Sequence, residues 1–171
     1  MDKANPYLPP EAKLSDIHPA HVEGQAATLR QRFVAALIDG VLSIALVFPL
    51  MAAFGMFEYT KHGNTPTLLQ TLEMSALGFL VFVLVHGYLL MRNGQTIGKK
   101  IVGIRITSLD DRVPPLPKLL FARYLPISVA TLVPVAGNFL PFVDSLFVFR
   151  SDRRCIHDLI AGTKVVQVKK R

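Results

Sequence analysis

Apolar residues gather into three long runs along the chain, separated by polar, basic or proline-rich stretches. The first opens behind Arg30 and Arg32 and continues from Phe33 to Phe57 with a single charge, Asp39. At about 1.5 Å per residue this run can cross a hydrocarbon core about 30 Å thick with some tilt, so the pattern predicts a membrane helix. The second run, Met74 to Met91, contains one ionisable group, His86, and ends at Arg92 with Asn93 and Gly94 placed to close a helix. The third, Tyr124 to Phe149, is long enough for one span but is broken in the middle by Pro134, Gly137, Asn138 and Pro141.

Between the second and third runs Ile104 to Thr107 alternates apolar and polar residues, and Val166 to Lys169 does the same near the C-terminus. Period-two alternation of this kind predicts two short strands, which would pair into a small sheet. The fold expected is therefore an all-α membrane protein, with two full transmembrane helices plus a re-entrant or kinked third helical element. A short cytoplasmic β-hairpin or two-stranded sheet completes it. Residues 1–29, with Pro6, Pro9, Pro10 and Pro19, bury too little apolar surface to order themselves and read as a flexible cytoplasmic tail. Residues 30–168 form the membrane domain, and 169–171 a basic end.

Charge sets the orientation. The stretch from Arg92 to Arg123 holds seven Lys/Arg against two Asp, and so does the stretch from Arg150 to Arg171. Residues 58–73 hold one Lys against two Glu. By the positive-inside rule the first two are cytoplasmic and the third is the outside loop. Both termini then lie in the cytoplasm, which favours a hairpin turning at Val135 to Asn138 over a single kinked span. The formal charge of +7 is accounted for by these flanking segments, so nucleic acid is not expected as a partner. The expected partners are the lipid bilayer, a monovalent cation or a proton, and further copies of the chain in a homo-oligomer. The lone cysteine, Cys155, excludes an internal disulfide and reads as an inert thiol.

An intramembrane acid is costly and needs a partner or a wet cavity. Asp39 lies seven residues from Arg32, His86 six from Arg92, and Asp144 six from Arg150. At helical rise all three fall about 9–10 Å inside the cytoplasmic boundary and could form one polar layer. Asp39 would meet His86, or a cation such as Arg123, across an interface where Ala35, Ala36, Gly40 and Ser43 allow close approach. Two readings of Asp39, His86 and Asp144 stand side by side. They are a cation/proton site, or they are structural groups locking helices together in a protein that transports nothing.

Other motifs fail on context. Gly94 to Lys100 has three residues between its glycines where a phosphate-binding loop needs four, and it lacks the following Ser/Thr. His18 and His21 are separated by Pro19 with no third ligand near, and His157-Asp158 reads as a hydrogen-bonded structural pair. No catalytic residue, metal or cofactor is expected, and the protein is not expected to be an enzyme.

Arg32 and Asp39, GQTIGKKIVGIRI at 94–106 and RRCIHDLIAGTKVV at 153–166 together resemble the RDD family of small integral membrane proteins. The family is named for one arginine and two aspartates. Arg32 and Asp39 match the first two; the second aspartate is carried over to Asp158, with Asp144 as the other candidate. The resemblance implies a multi-pass protein of the bacterial inner membrane, and cation/proton antiport is suggested for only some members. If Asp158 is the family residue, it could salt-bridge Arg32 at the membrane surface.

Overall fold

The computed structural model describes residues 24–55, 57–58, 63, 65–130, 132–133 and 136–168. His18, His21 and the basic end at 169–171 lie outside the described residues. Helix α1 (Leu29–Ala53) begins before the apolar run, because Thr28 and Gln31 form a capping box. The Gln31 amide donates to the Thr28 hydroxyl, and the Thr28 amide donates to the Gln31 side chain. Thr67 and Gln70 repeat the device at the start of α2 (Leu68–Asn93), which therefore absorbs six residues assigned above to the outside loop. Both helices are long and apolar enough to cross a membrane. Phe33, Ile44 and Leu84 are 70%, 68% and 73% exposed, an apolar surface that water would not tolerate over this length.

At Gly94 the backbone turns left-handed (φ 65°), and a Cβ there would lie 2.4 Å from the carbonyl oxygen of Ile106. The turn sends the chain back toward the helices as α3 (Ile97–Val102). Gly98 lets α3 seat against α1, since a Cβ at this position would lie 2.2 Å from the carbonyl oxygen of Ala35. Strand β1 (Ile104–Ser108) follows and pairs antiparallel with β2 (Thr163–Gln167), from Ile104 opposite Gln167 to Ser108 opposite Thr163. The expected sheet is present, with its second strand shifted toward the N-terminus of the segment named above. Gln25 and Ala27, which the sequence assigns to the tail, bond through their backbones to Gln167 and Val165.

The third apolar run is two short helices in place of one span. A π-helical stretch (Lys118–Tyr124) leads into α4 (Leu125–Ala130), and α5 (Ala136–Leu146) ends in a 3-10 turn (Phe147–Phe149). Helix α4 packs on α5. The last helix, α6 (Ile156–Ile160), precedes β2. The buried core lies at the sheet end of the molecule, where Ala35, Leu90, Ile104, Ile106, Leu119 and Val165 meet. Packing is thus concentrated where the long helices begin and end on the sheet side, and their remaining lengths leave large apolar side chains exposed.

Candidate functional site

Two polar clusters sit at this end, each built around carboxylates from the apolar elements. Asp39 on α1 meets the start of α3. Its Oδ1 accepts the Gly98 amide at 2.7 Å and its Oδ2 accepts the Thr96 hydroxyl at 2.5 Å. Thr96 is the N-cap of α3, and Gly98 carries one of the amides that the first turn of a helix leaves without a partner. The carboxylate therefore finishes the cap from a neighbouring helix. Lys99 Nζ stands 4.0 Å from Asp39 Oδ2, and His86 Nε2 stands 4.0 Å from Oδ1. The Ile97 amide donates to His86 Nδ1 at 3.3 Å, so the imidazole proton resides on Nε2, toward the acid.

The GQTIGKK segment now has a function for nearly every residue. Gly94 makes the reversal, Gln95 donates from its buried side chain to the Ile104 carbonyl at 2.8 Å, and Thr96 and Gly98 hold Asp39. Of the partners weighed for Asp39, His86 is adjacent, whereas Arg123 belongs to the second cluster.

That cluster centres on Asp158, whose side chain is fully buried. It accepts from Arg32 at 3.2 Å, from Arg123, from the Thr163 hydroxyl at 3.1 Å and from the Cys155 amide at 3.3 Å. Arg123 also donates to the Thr163 hydroxyl at 2.5 Å, and Arg154 donates to the carbonyls of Thr163 and Asp158. Four elements are joined through this one carboxylate: α1, the π-helical stretch, α6 and β2. Burial alone would raise the Asp158 pKa, but Arg123, His157 and Arg32 more than offset it and hold the carboxyl well below the usual carboxylate range.

Asp144 is paired with His157 and makes no hydrogen bond with Asp39 or His86. Its Oδ1 accepts the His157 amide at 2.9 Å, and its Oδ2 lies 2.5 Å from His157 Nδ1. His157 is not chiefly the partner of Asp158, whose Oδ2 is 3.8 Å away. His157 Nε2 lies 3.1 Å from Arg123, which must be the donor, so Nδ1 carries the proton that Asp144 accepts. Burial and the Arg123 charge lower the His157 pKa against the pull of Asp144 and Asp158. Cys155 is pushed up to about 11, first by burial and then by the two carboxylates, which keeps the thiol protonated.

Asp144, Cys155 and His157 present ligand atoms within 4.8 Å of one another. Arg123 on His157 and the raised thiol pKa weigh against a cation there, because a metal would need the thiolate beside a guanidinium. Thr96, Gly98, Thr163 and the pairing of Asp144 with His157 were missed in the sequence. Only Thr96 carried a signal, as a threonine immediately before an apolar segment, where an N-cap belongs.

Two long apolar helices, closed on one side by a short helix, a two-stranded sheet and an arginine–aspartate cluster, define a small helical protein with two candidate membrane spans. The chain belongs to the RDD family, which it matches over residues 26–162. It is similar to the uncharacterized protein YckC of Bacillus subtilis (strain 168), at 31% identity over 136 residues covering 78% of this chain and 80% of that one. It is also similar to an uncharacterized protein of Haemophilus influenzae, at 26% identity over 141 residues covering 82% of this chain and 77% of that one. No solved structure matches the chain. Of the residues that the resemblance brings over, Arg32 and Asp158 touch, while Asp39 occupies the other cluster.

Proposed function

We propose that this is a multi-pass inner-membrane protein with both termini in the cytoplasm, whose buried charges are structural. It serves as a non-transporting assembly or lipid-binding protein and not as an enzyme. The observation that carries this reading is that both Asp39 oxygens are taken by fixed donors of α3, the Gly98 amide and the Thr96 hydroxyl. A carboxylate engaged in this way fastens one element to another. The space beside His86 toward the middle of the helices supports the same reading. It amounts to about 10 Å³, lined by residues such as Leu42, Val81 and Val85, which is at the limit for one water. The two basic stretches that flank the third apolar run support a cytoplasmic C-terminus.

The second reading, cation/proton exchange, draws on the His86 Nε2–H placed 4.0 Å from Asp39, two groups that could pass a proton. Proteoliposomes loaded with a pH-sensitive dye separate the two. The structural reading expects no sodium-dependent proton movement from the wild type. A flux that Asp39→Asn abolishes while the protein stays folded would establish exchange instead. A C-terminal fusion to a fluorescent protein should be bright, and an active alkaline phosphatase fusion at the same point would reverse the orientation.

A further inference from the structure

Where the charged cap meets the apolar helices there is a cavity of about 230 Å³ with two kinds of wall. Arg32, Lys99, Arg123 and His157 line one part, and Phe33 and Val148 belong to the other. The acids that partner these bases, Asp39, Asp144 and Asp158, do not line it. The bases thus border the space while their counter-charges lie behind them. Arg32, Lys99 and Arg123 bring three cationic side chains to the wall of this one space. The Nε–H groups of Arg32 and Arg123 are buried without a hydrogen-bond partner among the described residues, and Arg123 is only 3% exposed. Guanidinium and ammonium donors gathered around one space are the counterpart of an anion rich in acceptor oxygens.

We propose that this cavity binds a phosphate group, and that the phosphate is that of an anionic phospholipid. The ligand follows from where the cavity lies. It opens beside the first turns of α1, at the level where a membrane helix passes from headgroups into acyl chains. Phe33, 70% exposed on the apolar part of the cavity, gives the acyl chain a surface to follow, which a soluble phosphate would not use. This assignment rests on the membrane placement argued under Proposed function. The guanidinium groups of Arg32 and Arg123 stay anchored on Asp158, so the site is pre-formed, and Lys99 adds a charge from α3.

The test is native mass spectrometry of the full-length protein extracted from nanodiscs holding equal amounts of phosphatidylglycerol and phosphatidylcholine. The wild type should retain phosphatidylglycerol with a several-fold preference. Lys99→Gln should reduce that preference, and Ser145→Asp should bring it near parity, because Ser145 is an exposed residue on the cavity wall where a carboxylate would repel the phosphate. Ser145→Asp also keeps the test decisive if Lys99→Gln fails to fold. No preference in the wild type, or an undiminished preference in Ser145→Asp, overturns the site. Thermal stabilisation by inorganic phosphate without any lipid preference assigns the cavity to a soluble anion and overturns the lipid. Lipid retention is read without ion movement, so its failure is distinct from the dye flux that would overturn the structural reading.

Discussion

Asp39 and Asp144 use one device in two surroundings. Each projects from an apolar helix, and each accepts an amide from the first turn of a short helix, Gly98 in α3 or His157 in α6. Each places its second oxygen on a side chain of that same short segment, the Thr96 hydroxyl or the His157 ring. Around Asp39 the further groups are a lysine and a histidine, both at 4.0 Å. Around Asp144 the chain adds a second, fully buried acid, Asp158, and three arginines that converge on it and its backbone. The contrast separates two contributions. Capping by a carboxylate aligns a short helix on its neighbour, whereas the arginine–aspartate cluster ties distant parts of the chain into one core and carries the larger cost when broken.

The largest effect should therefore fall on Asp158. Asp158→Ala strands Arg32 and Arg123 in a buried site, and thermal or denaturant unfolding in detergent should show a loss of about 3–5 kcal/mol. Asp39→Ala leaves the Gly98 amide and the Thr96 hydroxyl without their acceptor and Lys99 without a counter-charge that stands 4.0 Å away, and should cost about 1–3 kcal/mol by the same measurement. If the two losses were equal, the distinction between cap and cluster would collapse. Next in size is a coupling. Gly98→Ala puts a methyl where the Ala35 carbonyl lies and pushes α3 off α1, which already withdraws the amide from Asp39. The double variant Gly98→Ala/Asp39→Ala should then cost less than the sum of the singles by about 0.5 kcal/mol or more. Additive losses would mean that the two residues act separately.

The smallest effect is the pH dependence that the arginine-rich cluster contributes. The folded pKa of His157 lies below its unfolded value, so the unfolded chain takes up the proton first and stability falls as pH drops through about 6.5. Asp158 is depressed as well; its contribution is complete above the unfolded carboxylate value of about 3.9 and is lost only below it. Between about pH 7 and pH 5 the fall in thermal midpoint should thus be blunted by His157→Gln. An unchanged slope in that variant would remove His157 as its source.

The sequence made the two candidate spans and the sheet legible, because apolar run length and period-two alternation are local quantities, and it named His86 beside Arg123 as a partner for Asp39 without choosing between them. It did not reveal α3 folding back between the helices. That fold depends on a left-handed Gly94 and on a Gly98 contact with Ala35, neither of which periodicity records. The partner of Asp144 was hidden as well. Asp144 and His157 are 13 residues apart and meet because the chain returns through α6, which no helical spacing records. Arg32 and Asp158, far apart in sequence, came together through the family motifs, since no spacing rule connects them.

The hydrogen-bonded ladder between β1 and β2 has a consequence for counting. Strands pair edge to edge only when both lie on one side of a bilayer. A chain that makes Ile104 opposite Gln167 and Ser108 opposite Thr163 must cross the membrane an even number of times between the two strands, or not at all. The backbone bond from Ala27 to Val165 extends the same arithmetic to the segment ahead of α1. In a bilayer, five peptide pairs would thus act as a parity check on the whole topology, independent of where the arginines and lysines fall.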